Sequence, residues 1–126
     1  MRFIYPAVFH HEDDTSYWVE FPDLPGCFTD GDTQEDALNN AQEAMALYLE
    51  PDGETEPNYP HATDITDISQ PENGFVSYVV SDVDLTKSSR SVKKTLTIPE
   101  WLNTRATQQG VNFSQVLQEA LINRCY

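Results

Sequence analysis

Twenty-one carboxylates stand out in this 126-residue chain, and clustered carboxylates can hold paired divalent metals for phosphodiester hydrolysis. Glu12, Asp13, Asp14, Glu20 and Asp23 lie close together in sequence. Most of them fall in turn-forming stretches, where solvated acids are the norm, and no tetrad can be placed on strand centres. His10-His11-Glu12 offers metal-binding side chains, but neighbours on a strand point to opposite faces, so an exposed histidine pair is the simpler reading. His61 stands in a proline-rich stretch. Cys27 follows Gly26 in a tight turn and is suited to packing, and no serine, cysteine or histidine cluster makes a nucleophile. The residues therefore predict no catalytic group, no metal and no cofactor, which leaves binding as the chemistry to explain.

Charge divides the chain into two binding surfaces. Residues 1–86 carry 19 Asp/Glu against Arg2 alone, a balance of −18, while residues 87–126 carry six Lys/Arg and two Glu, a balance of +4, together the net −14. A basic segment on so acidic a chain implies two partners of opposite charge: nucleic acid for the C-terminal part and a basic protein for the N-terminal part. Solubility alone is the bland alternative for the acids.

The elements that must position these groups follow from periodicity. Residues 2–9 alternate, with Phe3, Tyr5, Ala7 and Phe9 on one side of a strand. His10–Ser16 is polar, and its DDTS reads as a hairpin loop. Residues 17–21 make a second strand with Tyr17, Val19 and Phe21 on one face; Pro22 and Pro25-Gly26 turn the chain into a short third strand at Cys27-Phe28-Thr29, ended by Asp30-Gly31-Asp32. A helix then runs to about Glu50. Its cap is Thr33, pairing with Asp36, or Asp32, pairing with Glu35, and the sequence leaves both frames open. Leu38, Ala41, Met45, Tyr48 and Leu49 form its apolar stripe, and Ala37, Ala41 and Ala44 allow close approach to a sheet. Pro51-Asp52-Gly53 stops it. Residues 52–74 form a long loop with at most a short strand near Asp64–Ile68, and Phe75–Leu85 is a further strand. The expected fold is α+β: a β-β-β-α-β lobe over 1–85, a hinge over 86–90 and a separate module over 91–126.

In that last module Val92–Ile98 reads as a strand, Pro99 as the first residue of a helix to Gln109, Gly110 as its C-cap, and Asn112 as the cap of a second helix. Phe113, Val116, Leu117, Ala120 and Leu121 line one face of that helix. A single strand with two helices cannot bury its own apolar side, because Leu96 and Ile98 find no partner within one chain. Antiparallel pairing of Val92–Ile98 with its copy about a two-fold axis supplies both hydrogen bonds and core. Lys93, Thr95 and Thr97 then face outward, with Lys94 nearby, on a two-stranded ribbon that fits the major groove. Asn112, Phe113 and Ser114 begin a helix whose N-terminus suits a phosphate. A plain dimerisation tail is the alternative.

KKTLTIPEWLNTRATQQGVNFSQVLQEALINR resembles the ribbon-helix-helix family of bacterial repressors along its whole length. The resemblance implies an obligate dimer, Lys93, Thr95 and Thr97 as base readers, and Asn112–Ser114 as phosphate anchors. YWVEFPDLPGCFTDGDTQEDALNNAQEA, from Tyr17 to Ala44, is similar to HicB antitoxins, which carry a degenerate, partial RNase H-like lobe before such a module. That likeness implies a small basic HicA-like toxin as partner, an mRNA-cleaving enzyme that the lobe masks, and repression of the operon through operator double-stranded DNA. Tentative toxin contacts are Glu20, Asp23, Asp30, Asp32, Glu35 and Asp36. A stand-alone repressor whose lobe binds a small-molecule effector is the runner-up reading. A homodimer is the smallest DNA-binding unit, and pairing of the lobes leaves a tetramer open.

Cys27 and Cys125 are two isolated cysteines in different modules, which make no disulfide framework, and no apolar run nears the roughly 20 residues that span a bilayer. The expectation is a reduced, cytoplasmic protein that makes no use of a membrane.

Overall fold

The computed structural model describes residues 1–12, 16–86 and 91–126. The hairpin loop read at DDTS falls largely on Asp13–Thr15, and most of the hinge on 87–90; both lie outside the described residues.

The first strand, β1 (Arg2–Glu12), pairs antiparallel on one side with β2 (Ser16–Glu20) and on the other with β4 (Gly74–Asp82). A third strand, β3 (Phe28–Gly31), pairs with β2, giving the sheet order β3-β2-β1-β4. Helix α1 (Gln34–Leu49) falls between β3 and β4 in the chain, so the lobe has the expected order. Alternation is the cause: Phe3, Tyr5, Ala7 and Phe9 join Val19 and Val79 in one core. Helix α1 closes over that core through Ala37, Ala41, Met45 and Leu49. Its stripe is rotated from the expected one. Leu38 and Tyr48 are exposed, because the small alanines, not the large side chains, set the line of closest approach.

Two junctions depend on glycine. A Cβ on Gly31 would stand 2.8 Å from the Asp36 carbonyl carbon and 2.7 Å from the Ala37 Cα, so only glycine lets the helix start this close to β3. Gly74 begins β4 opposite His10 at φ 138, where a side chain would strike the Phe9 carbonyl. The third strand runs further than expected, to Gly31, because Tyr17 and Trp18 of β2 continue the pairing to Gly31 and Asp30. The long loop, expected to hold at most a short strand near Asp64–Ile68, has a 3-10 turn at Ile65–Asp67, which the Asp64 side chain caps by accepting from the Thr66 N–H.

Beyond the lobe, α2 (Glu100–Gln108) and α3 (Phe113–Cys125) follow a segment, 91–99, that has no regular structure and is exposed throughout. The strand expected at Val92–Ile98 is thus not formed within one chain, and no strand among the described residues pairs with this segment. Pro99 is the cap of α2 rather than its first residue, with ψ 142 outside the helical range. Gly110 does end that helix at φ 68, and the Asn112 side chain caps α3 by accepting from the Gln115 N–H.

Candidate functional site

The six acids singled out from the sequence do not form one patch. Glu20 and Asp30 belong to β2 and β3 and point away from α1, by register with Val8 and Trp18. Glu35 and Asp36 occupy the first turn of α1, where the helix dipole favours negative charge. Thr33 is the N-cap, its hydroxyl accepting from the Asp36 N–H at 3.1 Å, which resolves the frame that the sequence left open. Asp32 lies beside this cap and lines a notch of about 380 Å³ with Glu12, Trp18 and Asp30.

Asp23 stands apart from the other five. Its carboxylate accepts from the Thr63 N–H at 2.9 Å and from the Thr63 hydroxyl, fastening the long loop to the turn after β2. Tyr5 helps from the other side, donating its hydroxyl to the Pro60 carbonyl at 2.6 Å. Burial, and secondarily the charge of Asp23, push the Tyr5 phenol above its ordinary range. Asp23 is engaged in holding the lobe together. Sequence spacing could not reveal this, since the two partners are 40 residues apart.

The histidine pair separates as strand geometry requires. His10 stacks on Trp18 at 3.9 Å and His11 on Tyr17 at 4.2 Å, on opposite faces of the sheet. The His10 Nε2 lies 3.5 Å from a Glu20 oxygen without making a hydrogen bond. No group of three or more His, Cys, Asp or Glu among the described residues is arranged to hold a metal. Cys27 is buried, and burial pushes its thiol up, the opposite of what a nucleophile needs.

In the C-terminal part, neither α2 nor α3 has a buried residue. Val92 is 91% exposed, Leu96 55% and Ile98 43%, and Trp101, Phe113, Val116 and Leu121 are exposed as well. So many open apolar side chains in so short a stretch make an apolar surface of the kind that marks interaction sites. Lys93, Lys94, Thr95 and Thr97 are exposed on the same segment. Asn112, Phe113 and Ser114 sit at the N-terminus of α3, where the first N–H groups of a helix lack intrahelical acceptors. Toward the lobe, Gln115 of α3 donates to the Thr86 hydroxyl at 3.3 Å, and the ring of Tyr126, just past the helix, packs edge-on against Tyr59.

Comparison with known proteins gives a consistent picture. A family model described as the HicB-like antitoxin of bacterial toxin-antitoxin systems matches residues 5–120. A 14.9 kDa protein from the rep-hol intergenic region of Haemophilus phage HP1 is 36% identical over 129 aligned positions, 96% of each chain. In three dimensions the chain is similar to one in a toxin-antitoxin complex from Streptococcus pneumoniae, with TM-score 0.61 and 29% identity over 98% of this chain and 99% of that one. The fold is also that of the Burkholderia pseudomallei antitoxin HicB, with TM-score 0.55 and 22% identity over 97% and 96%. Among the described residues no helix is long and apolar enough to cross a membrane.

Proposed function

From the premise that this chain belongs to the HicB-like antitoxin family of bacterial toxin-antitoxin systems, we propose that it masks a small basic HicA-like toxin and represses its own operon. The lobe, residues 1–85, is the toxin-neutralising part. An enzyme that cleaves mRNA must present a cationic surface to its substrate, and a lobe of such negative charge competes for that surface and steers the encounter. The chain acts here by occlusion and needs no catalytic group.

Residues 91–126 are the DNA-binding part, of ribbon-helix-helix type. Two copies of Val92–Ile98 pair antiparallel, which gives the exposed segment its hydrogen bonds and removes Leu96 and Ile98 from water. Lys93, Thr95 and Thr97 then lie on the groove face with Lys94 beside them, and Asn112–Ser114 presents helix N–H groups to a phosphate. The runs of bare apolar surface on α2 and α3 become the dimer core, so the homodimer is the smallest unit able to read an operator. All of this takes place in the cytoplasm, where the toxin's mRNA and the operator are both found.

The observation that carries the reading is a family match spanning both the acidic lobe and the basic module. The test mixes the full chain with a purified HicA-like toxin and follows cleavage of a reporter mRNA. One equivalent of the chain stops cleavage, and the same preparation retards a DNA fragment from upstream of its own gene. A chain that leaves cleavage untouched refutes the masking role.

A further inference from the structure

The sheet has two faces, and only one is covered. Helix α1 lies on the face of Phe3, Tyr5, Ala7 and Phe9, and no element among the described residues packs across the other. An antiparallel sheet with one solvated face ordinarily alternates to polar residues there. This one does not. By register its outer rows read Phe28, Glu20, Val8, Val76 and then Pro6 with Tyr78, followed by Ile4 with Val80. Pro6 and Val8 are buried and form an apolar floor, while Phe28 is 63% exposed and Tyr78 and Ile4 47% each. A shallow apolar seat rimmed by aromatic rings has the makeup of an interface centre.

Resting on the antitoxin reading above, we propose that this outer sheet face, centred on Trp18, Phe28 and Tyr78, is where the basic toxin seats. Charge selects the occupant. The same face carries Glu12, Glu20, Asp30 and Asp82, with Arg2 and His10 as its basic or titratable groups. A second copy of the lobe would bring these acids against their equals, whereas a cationic protein meets apolar anchors ringed by carboxylates. The acids at the start of α1 lie outside this face and act at longer range. Trp18 also lines the notch with Glu12, Asp30 and Asp32, whose carboxylates suit one lysine or arginine side chain.

The experiment titrates the full chain with a catalytically dead HicA-like toxin, with light scattering on each variant alone. Phe28→Ser and Tyr78→Ser each weaken binding at least tenfold. Leu47→Ser, which removes an equally bare side chain from α1 (72% exposed), leaves affinity unchanged. Oxidative footprinting of the unsubstituted complex protects Phe28 and Tyr78 and spares Leu47, so the outcome does not depend on how the variants fold. If the unsubstituted chain binds and both serine variants bind equally well, the toxin docks elsewhere and the antitoxin reading survives without this face. Serine variants that change the oligomer size but not toxin affinity assign the face to a second copy and overturn the proposal. No binding by the unsubstituted chain overturns both readings together.

Discussion

Gly31→Ala tests whether the lobe depends on the close approach of α1 to β3. The added Cβ would lie 2.8 Å from the Asp36 carbonyl carbon and 2.7 Å from the Ala37 Cα, with the Ala37 nitrogen nearer still, against 3.4–4 Å for ordinary contact. All three are helix backbone atoms and cannot swing aside, so the first turn of α1 must lift. Overpacking of this kind costs about 1–3 kcal/mol. Lifting the turn also strains the Thr33 cap, whose loss is worth about 1 kcal/mol. The sum, about 2–4 kcal/mol, is a large share of the 5–15 kcal/mol that typically holds a domain. At roughly 3–6 °C per kcal/mol for a chain of this size, Tm falls by about 6–24 °C. Near-UV circular dichroism follows the aromatic core directly. Gly26→Ala is the matched control: it meets nothing within 4 Å and bears only the strain of φ 84, worth about 1–2 kcal/mol. A Gly31→Ala protein that melts no lower than Gly26→Ala would falsify the close-approach argument.

Lys93→Ala weakens operator binding and flattens its salt dependence, removing about 0.9 from the log–log slope for each phosphate that is no longer neutralised; unchanged slope and affinity in a mobility-shift titration remove Lys93 from the DNA face. A thiol reagent modifies exposed Cys125 at once and buried Cys27 only after unfolding, because burial raises the Cys27 thiol and hides it. Equal rates by mass spectrometry refute that contrast. The Thr66 backbone N–H, and after it the Thr66 hydroxyl, hold the Asp64 carboxyl below its ordinary 3.8, so the turn's contribution is full above that value and fades as acid protonates the group at lower pH. An NMR titration in which the Asp64 carboxyl titrates at or above 3.8 contradicts the capping geometry.

Much of the fold is legible in the sequence because the signals are local. Alternation in residues 2–9 identifies the core side of β1, and Pro51-Asp52-Gly53 marks the end of α1, each within a few residues of backbone. Asn112 and Gly110 likewise announce the helix boundaries of the C-terminal part. The buried stripe on α1 differs from the expected one because hydrophobicity ranks leucine and tyrosine above alanine, while close packing on a sheet ranks them the other way. Val92–Ile98 has strand chemistry and no strand in one chain, since a strand is defined by what it pairs with.

Sequence alone determined the charge division, the order of elements and the family likeness, all properties of residues near one another or of simple sums. Tertiary structure decided which acid does what. Asp23 is occupied by Thr63 across 40 residues, while Glu20 and Asp30 are brought onto one open face only because the strands stack in the order β3-β2-β1-β4. That order also leaves Phe28 and Tyr78 bare on the side α1 does not reach. Pairing between distant strands follows from the packing of the whole chain, and no local pattern encodes which face is left without a cover.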